Sequence, residues 1–121
     1  MRIRILRPGG QATAELQATP TSEALWAALP IDSNACTWGD VYFDAGLSPP
    51  REPDAAQVVD PGTVAFWTDG DSLALPFGPT PISHDGECRL ASPCNLLGAP
   101  DGDPAVLRTV RDGDATRVER A

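Results

Sequence analysis

Gly62-Thr63-Val64-Ala65-Phe66-Trp67-Thr68-Asp69-Gly70-Asp71-Ser72-Leu73-Ala74-Leu75-Pro76-Phe77 decides the fold. Two runs rich in β-branched, aromatic and aliphatic residues flank an Asp-Gly dipeptide. Asp-Gly suits a two-residue hairpin turn, in which both central residues take a positive φ. With Asp69-Gly70 as that turn, Thr68 faces Asp71, Phe66 pairs with Leu73, Val64 with Leu75 and Gly62 with Phe77. Side chains alternate across a strand, so Val64, Phe66, Leu73, Leu75 and Phe77 share a core face. Thr63, Ala65, Trp67, Ser72 and Ala74 lie on the other face. Pro76 has no N–H for a ladder and marks an edge, a bulge or the strand's exit.

Similar units flank this hairpin. Residues 2–7 alternate Arg and Ile, which reads as an edge-like strand, and Pro8-Gly9-Gly10 turns the chain into a second strand over 11–17. Thr19 and Pro20 are a cap and first residue for one short helix through Leu25, Ala28 and Leu29, ended by Pro30. Residues 35–45 hold two strand pieces around Gly39. The Pro-rich stretch 46–57 reads as a surface loop. Residues 88–91 and 94–98 form a strand interrupted by Pro93. Asp103-Pro104 starts a helical turn through Val106 and Leu107, and 115–120 is a last strand. Asp-Gly recurs at 85–86, 101–102 and 112–113 without a fixed period, so these are turns and not a repeat array. Eight or so short strands with one helix predict a mainly β fold, a closed barrel or a sandwich.

Length and charge narrow the classes. The 121 residues make one domain, 1–121, with no linker dividing it. Nine Arg and no Lys stand against 17 acidic residues, a net charge of −8, which excludes a phosphate-backbone ligand such as nucleic acid. No apolar run is long enough to span a membrane. Residues 1–10 lack the apolar region of a secretory signal. Cys36, Cys88 and Cys94 are an odd set without C-x-x-C spacing, which fits a reduced, cytoplasmic setting.

Several segments carry a resemblance in chain order. They are Trp38-Gly39-Asp40 with Tyr42-Phe43, Pro61-Gly62 leading into Phe66-Trp67, Phe77-Gly78-Pro79-Thr80-Pro81, and Ala91-Ser92-Pro93 with Asn95 and Gly98. The helix segment from Pro20-Thr21 to Leu29-Pro30 and the stretch Asp101-Gly102-Asp103-Pro104 are similar too. Together they resemble the small bacterial and archaeal cyclophilin-like domain family over essentially the whole chain. The resemblance implies a closed cyclophilin-like β-barrel with one short α-helix. It implies fold far more than activity, because one fold hosts many functions. True cyclophilins use an Arg in a Phe-His-Arg type segment and a Gln before a Gly pair. Here the one His, His84, precedes Asp85, and Gln11, Gln17 and Gln57 precede no Gly pair. Arg89, in an apolar strand near the aromatic loop, is the remaining candidate donor to a prolyl nitrogen.

The candidate chemistry is sparse. Trp38, Tyr42, Phe43, Trp67, Phe77, Thr80, Arg89 and Asn95 are the expected ligand-cleft residues, since pockets combine aromatics with a few polar groups. Each aromatic alone also serves as a core or loop anchor. His84, Cys88, Cys94 and Cys36 have zinc-ligand types but not the spacing of a structural zinc site, so no metal is expected. A thiol nucleophile at Cys36 or Cys94 would need a base, and only His84 is a His. The Asp-Gly-Asp triplets lack the continuation of a calcium loop. No nucleotide or hydrolase motif occurs, and no cofactor is expected. General acid or base work would fall to Asp40, Asp44 or Glu87, with no spacing to choose among them. The first expectation is a module that binds a small molecule or peptide segment in an aromatic-lined cleft. A divergent prolyl isomerase or other small-molecule enzyme in the same cleft is the alternative. A structural or self-associating domain is the third.

Overall fold

In the computed structural model, which describes all 121 residues, β7 (Val64–Trp67) and β8 (Ser72–Pro76) pair in the expected register. Phe66 faces Leu73, Ala65 faces Ala74 and Trp67 faces Ser72. The turn differs from expectation. Thr68–Gly70 forms a 3₁₀ turn, and the left-handed residue is Asp71 at φ 50°. Gly70 is required for space: a Cβ there would lie 2.3 Å from the Trp67 ring.

The two faces of this hairpin enter different clusters. Val64, Phe66, Leu73 and Leu75 join the main core with Ile3, Ile5, Leu16, Leu25, Phe43, Leu97 and Val118. Ala65 and Ala74 pack with Leu90 and Cys94, with Tyr42 and Trp67 against them. Burial of each large side chain contributes roughly 1.5–3 kcal/mol before chain entropy is subtracted.

Around it run β1 (Arg2–Arg7), β2 (Gly10–Leu16), β3 (Ile31–Asn34), β4 (Cys36–Thr37), β5 (Asp40–Asp44), β6 (Ala56–Val58), β9 (Arg89–Pro100) and β10 (Ala115–Arg120). The sheet order is β3-β10-β1-β2-β9-β7-β8-β5-β4, with β6 on β9. β1 is therefore an interior strand between β10 and β2, and not the edge its alternating arginines imply. Ion pairs hold those arginines on the outer face: Arg4 with Glu119 at 3.2 Å, and Arg2 with Asp101.

The expected closed barrel does not form. No ladder joins the end strands β3 and β4, which only the covalent chain at Ala35 connects. The backbone groups at this seam are already occupied. The Ala35 N–H donates to Asp114 O at 2.8 Å, Ala35 O accepts from the Gly113 N–H at 2.7 Å, and the Thr37 N–H donates to Asp112 Oδ1 at 2.6 Å.

β9 is one 12-residue strand, continuous through Pro93. Its register with β6 shifts between Ala56–Cys94 and Val58–Arg89, so the missing proline N–H falls in the irregular stretch. The segment 46–57, expected as loop, contributes β6 at its end. Helix α1 (Pro20–Ala28) begins as expected, with Thr19 Oγ1 accepting the Ser22 N–H at 3.1 Å, and it buries Leu25. A second 3₁₀ turn, Pro104–Thr109, is capped by Asp103, whose Oδ1 accepts the Ala105 N–H at 2.9 Å. No helix is long and apolar enough to cross a membrane.

Candidate functional site

A cleft of about 180 Å³ opens on the face of the hairpin opposite the main core. Its walls are Trp38, Tyr42, Trp67, Ala74, Leu90, Ala91 and Cys94, and Asp40 supplies its one charged group. Strand alternation selects these residues: Trp67 and Ala74 face outward because Phe66 and Leu73 face inward.

Trp38 and Asp40 come from the turn between β4 and β5. The Trp38 N–H donates to Asp40 O at 3.0 Å. Between them Gly39 holds φ +71°, and a Cβ there would sit 2.6 Å from Thr80 Cα and 2.8 Å from Pro79 O. The turn is thus seated directly on the Pro79-Thr80 backbone. This contact joins two of the segments that carry the family resemblance. Trp67 is fixed by its Nε1–H, which donates to Ser92 Oγ at 2.7 Å. Tyr42 meets Trp67 edge to face, centroids 5.7 Å apart and planes at 80°.

Asp40 is the unusual group. The residue is buried at 5% exposure, and Oδ1 has no hydrogen-bond partner. Burial pushes the carboxyl from its ordinary 3.8 up to about 6, and its own backbone N–H offsets part of that rise. Burial likewise pushes the Cys94 thiol up to about 12, with the nearby Asp40 charge adding to the effect. That thiol is no nucleophile, and its S–H donates to Ser92 O at 3.4 Å. The Tyr42 phenol is raised by burial first, then by Cys36 and Asp40.

Of the residues expected to line a cleft, Trp38, Tyr42 and Trp67 come together here. Phe43 lies on the opposite face of β5, within the main core. Phe77 packs against that core, with the Arg108 guanidinium 5.9 Å from its ring centroid. Thr80 is buried, its hydroxyl bonded to Arg89 O and its N–H to Ser83 Oγ at 2.9 Å. The Arg89 guanidinium is held by Glu87 through contacts of 2.8 and 3.0 Å. Asn95 is fully buried and anchors a loop. Its Nδ2 donates to Thr21 Oγ1 at 2.9 Å and Pro50 O at 3.0 Å, and its Oδ1 accepts the Glu52 N–H at 2.7 Å.

The three acid/base candidates separate in the same way. Asp44 is exposed and caps the Gly46 N–H at 2.7 Å, and Glu87 is held low by its bond to Arg89. Asp40 alone is desolvated and bonded to no other residue. Leu90, Ala91 and Cys94 were not expected in the cleft, because the strand break read at Pro93 hid their shared approach along β9. No group of three or more His, Cys, Asp and Glu side chains gathers as metal ligands. A second groove of about 550 Å³ lies beside β6, lined by Val58, Asp60, Gly78, Pro79, Glu87 and Cys88 among others. It is more open to solvent, and the Glu87 charge in it is spent on Arg89.

A comparison with curated proteins finds no match. Among solved structures, the hypothetical protein AF2241 from Archaeoglobus fulgidus, a solution structure, is 36% identical with a TM-score of 0.83. That match covers 100% of this chain and 95% of the archaeal one. McbB, solved in complex with tryptophan, is 18% identical with a TM-score of 0.65, a likeness of fold. It covers 98% of this chain but 44% of McbB. The sequence model of the cyclophilin-like family matches residues 1–119. With that match over nearly its whole length, the chain belongs to the cyclophilin-like family.

Proposed function

We propose that the protein binds a small molecule with a flat apolar body in the cleft of Trp38, Tyr42 and Trp67. One observation carries the reading: an otherwise aromatic and aliphatic concavity is lined by Asp40, a buried carboxyl bonded to no other residue. A carboxylate taken out of water gains from any donor a ligand brings to it.

Size limits the ligand. A dry apolar cavity of roughly 150 Å³ holds one benzene ring, whereas drug-sized pockets run to roughly 300–1,000 Å³. At about 180 Å³ the cleft suits a single ring with a short substituent. A folded peptide segment or a nucleotide exceeds it. The Arg89 guanidinium, the candidate donor for prolyl isomerisation, does not line the cleft and is held by Glu87. Binding without chemistry is therefore the reading the cleft supports best.

The test is a titration with a panel of one-ring compounds, read by the indole N–H resonances. Two of the three tryptophans, Trp38 and Trp67, line the cleft, and Trp26 lies on α1 outside it. A ligand is expected to shift the first two and leave Trp26 in place. It also raises the unfolding free energy, by about 2.7 kcal/mol at a hundredfold excess over Kd. Ala74→Leu fills the floor and abolishes the shifts. Shifts that persist unchanged in Ala74→Leu, or that never appear at any of the three indoles, reject the cleft as the site.

A further inference from the structure

Asp40 is a charge without a countercharge. The ionisable groups that sense it are Tyr42 on β5, Cys94 on β9, and Cys88 just before β9. All three are raised above their ordinary values, so all stay neutral near pH 7. Cys36 and Asp112 lie beyond Tyr42, and Asp60 beyond Cys88. Arg51 acts on Cys94 but is paired with Asp69 at 3.1 Å, and Arg89 is paired with Glu87 at 2.8 Å. The chain has no Lys that could reach in. A buried carboxylate is normally found with a cation or a set of donors.

The remaining surroundings also favour positive charge. Aromatic rings attract cations through their π faces, most strongly where water is excluded. Tyr42 and Trp67, nearly perpendicular, form a corner beside the carboxyl. A net charge of −8 raises the local concentration of small cations around the protein.

We infer that the cleft selects a small organic cation, a one-ring molecule carrying a primary or secondary ammonium whose charge and N–H groups answer the Asp40 carboxylate. This rests on the cleft's being a ligand site, as proposed above, and names the class of ligand. Where the free protein holds the carboxyl neutral, the incoming cation expels its proton to solvent, so affinity depends on pH.

Benzylamine and benzyl alcohol make the test. They share size and ring, and only the amine is charged throughout pH 5 to 8. With Asp40 titrating at about 6 in the free protein, benzylamine affinity is expected to rise about tenfold from pH 5 to pH 7 and then level. Benzyl alcohol is expected to bind more weakly and without that slope. Asp40→Asn is expected to remove the slope and the preference for the amine. The wild-type comparison decides the matter by itself if that variant does not fold. Equal binding of the two compounds with a flat pH profile overturns the cation while leaving the cleft as a site. Failure of both to move the Trp38 and Trp67 resonances, even at tens of millimolar, overturns the cleft and the cation together.

Discussion

Asp40→Asn in the ligand-free protein measures what the buried carboxyl costs the fold. The folded carboxyl titrates at about 6 against an ordinary 3.8, so the folded state holds the proton more tightly than the unfolded chain. Below about pH 3.8 both states are protonated and the residue is neutral in its pocket. As pH rises from there to about 6 the unfolded chain ionises freely and the folded state resists, so stability falls. Above about 6 both are ionised and the penalty is constant. At about 1.4 kcal/mol per pH unit the full penalty is about 3 kcal/mol, and most of it develops between pH 4 and pH 7.5. Asn has the same shape and never ionises. Urea unfolding of both proteins across this range is the assay. Other carboxylates contribute with the opposite sign: Glu87 and Asp101, held low by Arg89 and by Thr13 and Arg2, lose stabilisation as pH falls. They are common to both proteins, so the difference between the two curves isolates Asp40. The variant is expected to gain on the wild type by about 2–3 kcal/mol from pH 4 to pH 7.5. A difference constant within about 0.5 kcal/mol would show that Asp40 is solvated or paired, and the desolvation argument would be wrong.

Three further outcomes are expected. Gly39→Ala places a Cβ 2.6 Å from Thr80 Cα at φ +71°, and a loss of about 2–4 kcal/mol is expected in urea unfolding. A loss under about 0.5 kcal/mol would mean that the turn does not sit on the Pro79-Thr80 backbone. Asn95→Ala strands the Glu52 N–H, Pro50 O and Thr21 hydroxyl contacts, at a cost of about 2–4 kcal/mol. Hydrogen exchange at the Glu52 amide should quicken well before that of β7, and equal rates would argue against the anchor. Iodoacetamide on the folded protein should label Cys36, which is exposed, while Cys88 and Cys94 react only in urea. Mass spectrometry reads the number of labels directly, and native labelling at Cys94 would show that the cleft floor opens.

The parts of the fold legible in the sequence were those governed by local alternation and caps. The hairpin register needed only the spacing of Val64, Phe66, Leu73 and Leu75 about a turn. The helix start needed only Thr19 and Pro20. What escaped depends on partners distant in the chain. The place of β1 inside the sheet is set by β10, more than a hundred residues later, and its arginines gave the opposite impression. Pro93 looked like a break, because nothing local shows that β9 is irregular against β6 at that point. Closure was expected from the resemblance, and the open seam follows from the bonds that the turn at Asp112–Asp114 makes to Ala35 and Thr37.

The site was half legible for the same reason. Trp38, Tyr42 and Trp67 stood out as aromatics, and the hairpin register already put Trp67 and Ala74 on one face. Phe43 and Asn95 resembled cleft residues by type alone, and burial assigns them to the core and to a loop anchor. Asp40 could not be told from Asp44 or Glu87 until each carboxylate's partners were known.

The two-faced hairpin has a consequence for how such a protein diverges. Phe66 and Leu73 specify the fold while their immediate neighbours Trp67 and Ala74 shape the cleft. The proposed recognition is then open to re-cutting at alternate positions, by enlarging Ala74 or trimming Trp67, with the main core left as it is. The same arrangement forbids small insertions in either strand: a slip of one residue would send the cleft side chains into the core and the core side chains into the cleft. Under the proposed function, relatives with a different ligand vary here by substitution and keep the strand lengths.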